Sequence, residues 1–312
     1  MMARASIPVD LLNPGQVFAC LGFLEVADTL LGDAEGGFDW SHKSQVRFVL
    51  GAGGQENPFA VVLGFLAKAR VLRVAPVGYM ERESESDEAG DDDDEEASGG
   101  DSLFCECFPS AEAEGLSLPI RLDAGSRSSI TVSHWADGTD RGTFKLYSGN
   151  RSAAGIAEAM LRGKRSKPNK KHPLGEVNTL GVEGLLQLRR EELVAGPFEV
   201  LTRMAGSFNM DPRGGWIAID AGYSPNRHKE QGVAASPVVE ILAAIGLEHA
   251  RPCELGKRQV RYAAWGEPVP PLLARAALGG AKVGVAITTF LFELAMTGKN
   301  KVVTFAVEET SR

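Results

Sequence analysis

Two runs of this chain hold the residue types that bind phosphate. The first is Phe144-Lys145-Leu146-Tyr147-Ser148-Gly149-Asn150-Arg151-Ser152. It reads as a strand that ends in a Ser-Gly-Asn turn, with a helix starting near Ser152. The first N–H groups of a helix lack intrahelical acceptors, and the helix dipole favours an anion there. Lys145 and Arg151 would add full charges beside the turn at Asn150, and Tyr147 would offer a ring on which a base stacks. The second run is a basic loop over 162–172. Its Arg162, Lys164, Arg165, Lys167, Lys170 and Lys171 suit phosphate contacts that carry no sequence information. The same charges would equally serve a solvated face that ends a helix and meets no nucleic acid.

The charge of the whole chain hides this. Residues 81–101 carry twelve acids and one Arg, a net −11, whereas the 312-residue chain carries −8, so the remainder is +3. Residues 141–172 carry nine Lys and Arg against the single acid Glu158. A basic segment on a mildly basic body predicts a polyanionic partner. The acidic run is either a solvated loop or a mimic that competes for the basic surface.

Other constellations are weaker. Asp211-Pro212-Arg213-Gly214-Gly215-Trp216 and Asp220-Ala221-Gly222-Tyr223 place acids near glycine turns, where a metal-dependent nuclease would need them. Acids also feed turns by bonding their own backbone, which is the commoner use. Cys105-x-Cys107 is too closely spaced for ordinary structural zinc and reads as two cysteines alternating along a strand. His42, His134, His172, His228 and His249 form no metal or catalytic spacing, and neither a P-loop nor a Gly-x-Ser-x-Gly elbow occurs. These residues call for no cofactor, no metal and no catalytic role. Trp216 and Trp265 lie in apolar surroundings and read as core.

The elements that must position these residues follow from capping and periodicity. Asn13-Pro14-Gly15 opens a largely buried helix to Leu31, with Glu25 and Asp28 three apart on one face. Asn57-Pro58 and Ser236-Pro237 each cap a further helix, the latter ended by Gly246. Helices are also expected over 152–161 and 182–194. Strands are expected over 46–50, 103–108, 119–122, 129–134, 143–147, 216–220, 259–264, 283–294 and 301–307. The sum is an α+β fold, a mostly antiparallel sheet with several packed helices. It divides into an N-terminal α/β segment (1–77), a disordered acidic insert (78–101) and a main α+β body (102–312). The first segment either joins the body in one domain or stands beside it.

The chain is long enough to bury a sizeable core. No apolar run reaches the roughly 18 residues of a membrane span. The start shows no secretory signal, and four scattered cysteines suit a reducing cytoplasm.

Four stretches carry a family resemblance: Pro8 through Gly22; Lys145-Leu146-Tyr147-Ser148-Gly149-Asn150; Phe208 through Trp216 with Asp220 through Pro225; and Ser236 through Leu247. They resemble the small CRISPR-associated proteins encoded with subtype I-G systems, formerly I-U. The likeness spans nearly the whole chain apart from the acidic insert. It implies a subunit or accessory factor of an RNA-guided interference complex (Cascade) in antiviral defence. The implied partners are guide RNA, target DNA, other effector subunits and a helicase-nuclease. In such complexes base pairing reads sequence while protein tracks backbone and shape. A non-catalytic RNA- or DNA-binding role follows. The alternative is a protein–protein adaptor that recruits the helicase-nuclease, or contacts effector subunits, without touching nucleic acid.

Overall fold

The computed structural model describes residues 1–42, 45–75, 103–104, 118–125, 128–133, 135, 144–147, 151–167, 175, 177–214, 233–297 and 300–309. The acidic insert, Cys105, Cys107, Asn150, Lys170, Lys171, Trp216, Asp220 and the expected strand 216–220 lie outside the described residues.

The fold is α+β with mostly antiparallel sheets, as its sequence implies. The chain starts with β1 (Met2–Pro8), α1 (Pro14–Leu31), β2 (Glu35–Asp39) and β3 (Arg47–Gly53), then α2 (Pro58–Lys68) and β4 (Arg70–Ala75). The β1, β2 and β3 strands form a sheet ordered β1-β3-β2, with β3 antiparallel to both neighbours. That is a split βαβ unit, with α1 as its crossover.

The middle of the chain supplies β5 (Leu103–Phe104), β6 (Ile120–Asp123), β7 (Ser129–Val132) and α3 (Ala153–Arg162). Next come β8 (Gly163–Arg165), β9 (Val177–Leu180), α4 (Val182–Leu188), α5 (Arg190–Ala195) and β10 (Thr202–Arg203). The second sheet is ordered β5-β4-β6-β7, and β8 pairs with β9 in a two-stranded ribbon. The single helix expected over 182–194 is broken at Arg189, whose φ of −138° and ψ of 43° interrupt α4 and start α5. Residues 144–147, expected as a strand, join no sheet, although the Leu146 carbonyl accepts from the Lys301 N–H at 3.0 Å.

The last third contains β11 (Ala234–Ala235), α6 (Pro237–His249), β12 (Cys253–Glu254) and β13 (Gln259–Trp265). It ends with α7 (Pro271–Leu278), β14 (Ile287–Thr297), β15 (Asn300–Val303) and β16 (Val307–Glu308). The third sheet runs β12-β13-β14-β15 with β16 also on β14, and β10 pairs with β11. Trp265 is in the core, as expected, and its indole donates to the Gly36 carbonyl at 2.7 Å.

Buried residues from both ends of the chain form one apolar cluster around α1 and α6. Both helices are buried on nearly all sides, which explains their uniformly apolar sequences. They cross at glycines. A Cβ on Gly22 would come within 2.1 Å of the Leu242 carbonyl oxygen, and one on Gly246 within 2.2 Å of that of Phe18. Gly246 was expected to end its helix. Instead it lies inside α6, because the crossing needs a residue without a side chain there. Glu25 points from this pair toward α7, where Arg275 donates to both its oxygens at 2.6 Å. Among the described residues α1 is the one helix long and apolar enough to cross a membrane, but 78% of that stretch is buried inside the fold.

Candidate nucleic-acid interface

The basic segment begins at α3. Ser152 caps this helix, its hydroxyl accepting from the Gly155 N–H at 3.1 Å. Arg151, just outside the cap, is exposed and donates to the Ala205 carbonyl. Lys145 lies over the Tyr147 ring, 5.1 Å from its centroid. Tyr147 itself is only 5% exposed. Its ring packs edge-on against Trp135 and Phe208, and burial pushes its hydroxyl pKa up. This corrects the expectation of a stacking platform: a base cannot reach a ring already enclosed by two others.

Arg162 is corrected as well. It ends α3 and turns inward, and its guanidinium donates to the carbonyls of Ala67 at 2.5 Å, Lys68 at 3.2 Å and Ala69 at 2.6 Å. Glu183 of α4 pairs with it at 3.0 Å. These carbonyls are the unsatisfied C-terminal groups of α2, so Arg162 is a helix cap supplied by another helix. Its charge is used inside the protein.

The next residues were expected as loop. Gly163, with φ of 78°, breaks the helix, and Gly163–Arg165 continues as β8 against β9. The Lys164 N–H donates to the Thr179 hydroxyl at 2.9 Å, and the register shifts between Lys164 and Arg165. A bulge of this kind re-aims side chains. Lys164 and Arg165 are exposed on this ribbon, Lys167 is exposed two residues beyond β8, and Arg203 is exposed on β10, which packs beside β9. The ribbon therefore holds two of the expected phosphate contacts on paired backbone, with a third just after it.

A different centre draws together three of the stretches singled out in the sequence. Asn13 caps α1, accepting from the Gln16 N–H at 3.2 Å, and donates from Nδ2 to Asp211 Oδ1 at 3.2 Å. Ser236, the α6 cap, gives its N–H to Asp211 Oδ2 at 3.1 Å. Arg213 grips the same carboxylate through Nε at 2.9 Å and Nη2 at 2.8 Å. Glu240, wholly buried in the first turn of α6, accepts from the N–H groups of Asp211 at 3.0 Å and Met210 at 3.3 Å. Burial pushes the Glu240 carboxyl up to about 7, with the Asp211 charge adding to the shift and the two N–H donors opposing it.

This network pins the 207–213 loop to the N-termini of both central helices. It also fills the acceptor positions of Asp211, which a metal ligand would need open. Among the described residues no three His, Cys, Asp or Glu side chains converge on a possible metal position. The centre was legible in principle. Asn13-Pro14, Asp211-Pro212 and Ser236-Pro237 are three polar-residue–proline pairs, two of them helix caps, and all three meet here.

No protein-family model, no curated protein and no solved structure matches the chain.

Proposed function

We propose that this protein is a non-catalytic, nucleic-acid-binding subunit or accessory factor of a subtype I-G CRISPR interference complex. The family assignment rests on the sequence resemblance. The binding role rests on the β8–β9 ribbon, where Lys164 and Arg165 stand exposed on paired strands and Lys167 is exposed just after β8. Such a ribbon fits the phosphate backbone of guide RNA or target DNA, because backbone contacts need charge at fixed spacing and no base-reading groups. A cytoplasmic site of action follows from this role.

One observation favours the adaptor reading. Leu12, Phe305 and Val307 are 43%, 51% and 64% exposed. They surround the hydrogen bond from the Ala306 N–H to the Leu12 carbonyl, 2.8 Å long. Exposed apolar groups gathered in this way mark protein contacts.

An electrophoretic mobility shift across a salt series separates the two readings. Wild type runs beside a variant with Lys164, Arg165 and Lys167 changed to Ala, on single-stranded RNA, single-stranded DNA and duplex DNA. A steep salt slope that flattens in the variant supports the nucleic-acid reading. No shift at low salt removes direct binding by the free protein and moves the test to co-purification with effector subunits after nuclease treatment.

A further inference from the structure

Among the described residues one buried side-chain nitrogen has no hydrogen-bond partner: Nε of Arg121. Buried polar groups are nearly always paired, and an unpaired one needs an explanation. Arg121 lies on β6, where Ile120 and Leu122 point into the core and Arg121 and Asp123 point to the other face. That face of the β4–β6–β7 sheet holds Arg121 between Leu72 of β4 and Thr131 of β7, with Arg70 and Ser129 at its diagonal positions. The one carboxylate on β6, Asp123, is committed elsewhere. It accepts from the Gly125 N–H at 2.7 Å and lies 3.8 Å from Arg70.

The position of this face gives the unpaired nitrogen a use. Arg162 bonds the Ala69 carbonyl. Arg70 is the next residue after Ala69, and Lys164 is two residues after Arg162. Both cations thus lie within two residues of the contact between the end of α3 and the α2–β4 turn. The Arg70 side chain is 66% exposed. Arg121 is the diagonal neighbour of Arg70 one strand further on, a spacing of roughly 7–8 Å. We infer that the basic track continues from Lys164 and Arg165 through Arg70 to Arg121, and that Arg121 takes a backbone phosphate of a bound single-stranded nucleic acid. The guanidinium lies with its Nε buried and unpaired. A phosphate that draws it outward supplies the bond that Nε lacks, and the planar fork matches phosphate oxygens.

This inference rests on the nucleic-acid reading above, and the experiment keeps the two apart. Fluorescence anisotropy of a short labelled single-stranded RNA, across a salt series, compares wild type, Arg121→Gln, Arg121→Lys and the Lys164/Arg165/Lys167 triple alanine variant. Arg121→Gln is expected to weaken binding several-fold and to lower the salt slope by about 0.7, the share of one phosphate on a single strand. Its melting temperature should stay level or rise, because an unpaired donor has been removed. Arg121→Lys keeps the charge and should keep the slope while losing affinity; it is also the working variant should the glutamine form fail to fold. Binding lost in the triple variant but untouched in both Arg121 variants overturns the inference and leaves the ribbon reading standing. No binding by wild type overturns both. Millimolar inorganic phosphate raising the melting temperature through Arg121, with RNA affinity unchanged, identifies a small-anion site and also overturns the nucleic-acid track.

Discussion

The polar centre at Asp211 and the β8–β9 ribbon both hold basic residues, yet they use them in opposite ways. Arg213 spends its charge on a carboxylate that is 1% exposed, and every donor around that carboxylate is accounted for by caps and loop backbone. Lys164 and Arg165 stand at the surface of a two-stranded ribbon, with Lys167 exposed just beyond it. Arg162 lies between the two cases: it is ten residues or fewer from the ribbon cations in sequence, but it belongs with the interior group because α2 offers it three carbonyls. A run of positive charge in a sequence is therefore not one functional unit. What separates its members is burial: Arg162 is partly buried against α2, whereas Lys164, Arg165 and Lys167 are exposed.

The largest effect is expected where an interior charge loses its partner. Asp211→Ala leaves Arg213, Asn13 and the Ser236 N–H without acceptors, and breaking a buried pair in this way costs about 3–5 kcal/mol. Chemical denaturation should show a large drop in the midpoint at unchanged slope. A variant that melts like wild type would show that the network is not what holds the loop to the two caps.

The glycine crossing is next. Gly22→Ala places a methyl against backbone that cannot rotate away, so it should cost about 3 kcal/mol, the upper end of overpacking effects. Gly64 is the control within the same core region. It lies inside α2 with nothing near its missing Cβ, so Gly64→Ala should instead stabilise by about 0.5–1 kcal/mol. Opposite signs in denaturant midpoints would establish that close approach at the α1–α6 crossing, not helix propensity, selects the glycine. Two losses of equal size would break that argument.

The interior centre also predicts a pH dependence that the ribbon does not. Glu240 folds from an ordinary carboxyl near 4.5 to a value of about 7. The folded state therefore binds the proton more tightly. The stabilisation is complete below about pH 4.5 and is lost as pH rises through 7, and a shift of this size corresponds to about 3 kcal/mol across the window. Glu240→Gln should flatten the melting temperature between pH 5 and 8, with wild type falling over the same range. A wild-type curve that rises instead would mean that the carboxylate is better solvated than its burial indicates.

Much of this was legible in the chain. The polar-residue–proline pairs at Asn13, Asn57 and Ser236 marked three helix starts correctly, because capping and the fixed proline φ are local properties. The strand expected over 259–264 is β13, Gln259–Trp265, whereas the one expected over 301–307 is split between β15 and β16. What failed depended on distant partners. Gly246 looked like a helix stop because nothing local reveals that Phe18 presses on it. Tyr147 looked like a platform because the rings of Trp135 and Phe208 reach it only after folding. The 163–165 stretch looked like loop because it is short and charged and pairs with β9, twelve or more residues further on.

The smallest and most discriminating effects lie within the basic segment itself. Arg162→Ala removes three charge-assisted hydrogen bonds to the α2 C-terminus, of which solvent exposure leaves a net loss of about 2 kcal/mol. Lys164→Ala with Arg165→Ala should change stability by no more than about 0.5 kcal/mol, as surface substitutions do. In binding the order should reverse: the double ribbon variant loses about 1.4 units of single-strand salt slope, whereas Arg162→Ala loses none. Thermal melts and salt-dependent anisotropy on the same preparations test this crossed pattern. If Arg162→Ala instead flattened the slope with its stability intact, its guanidinium would have to leave the α2 carbonyls when nucleic acid binds. The division between interior and surface charge would then describe only the unbound protein.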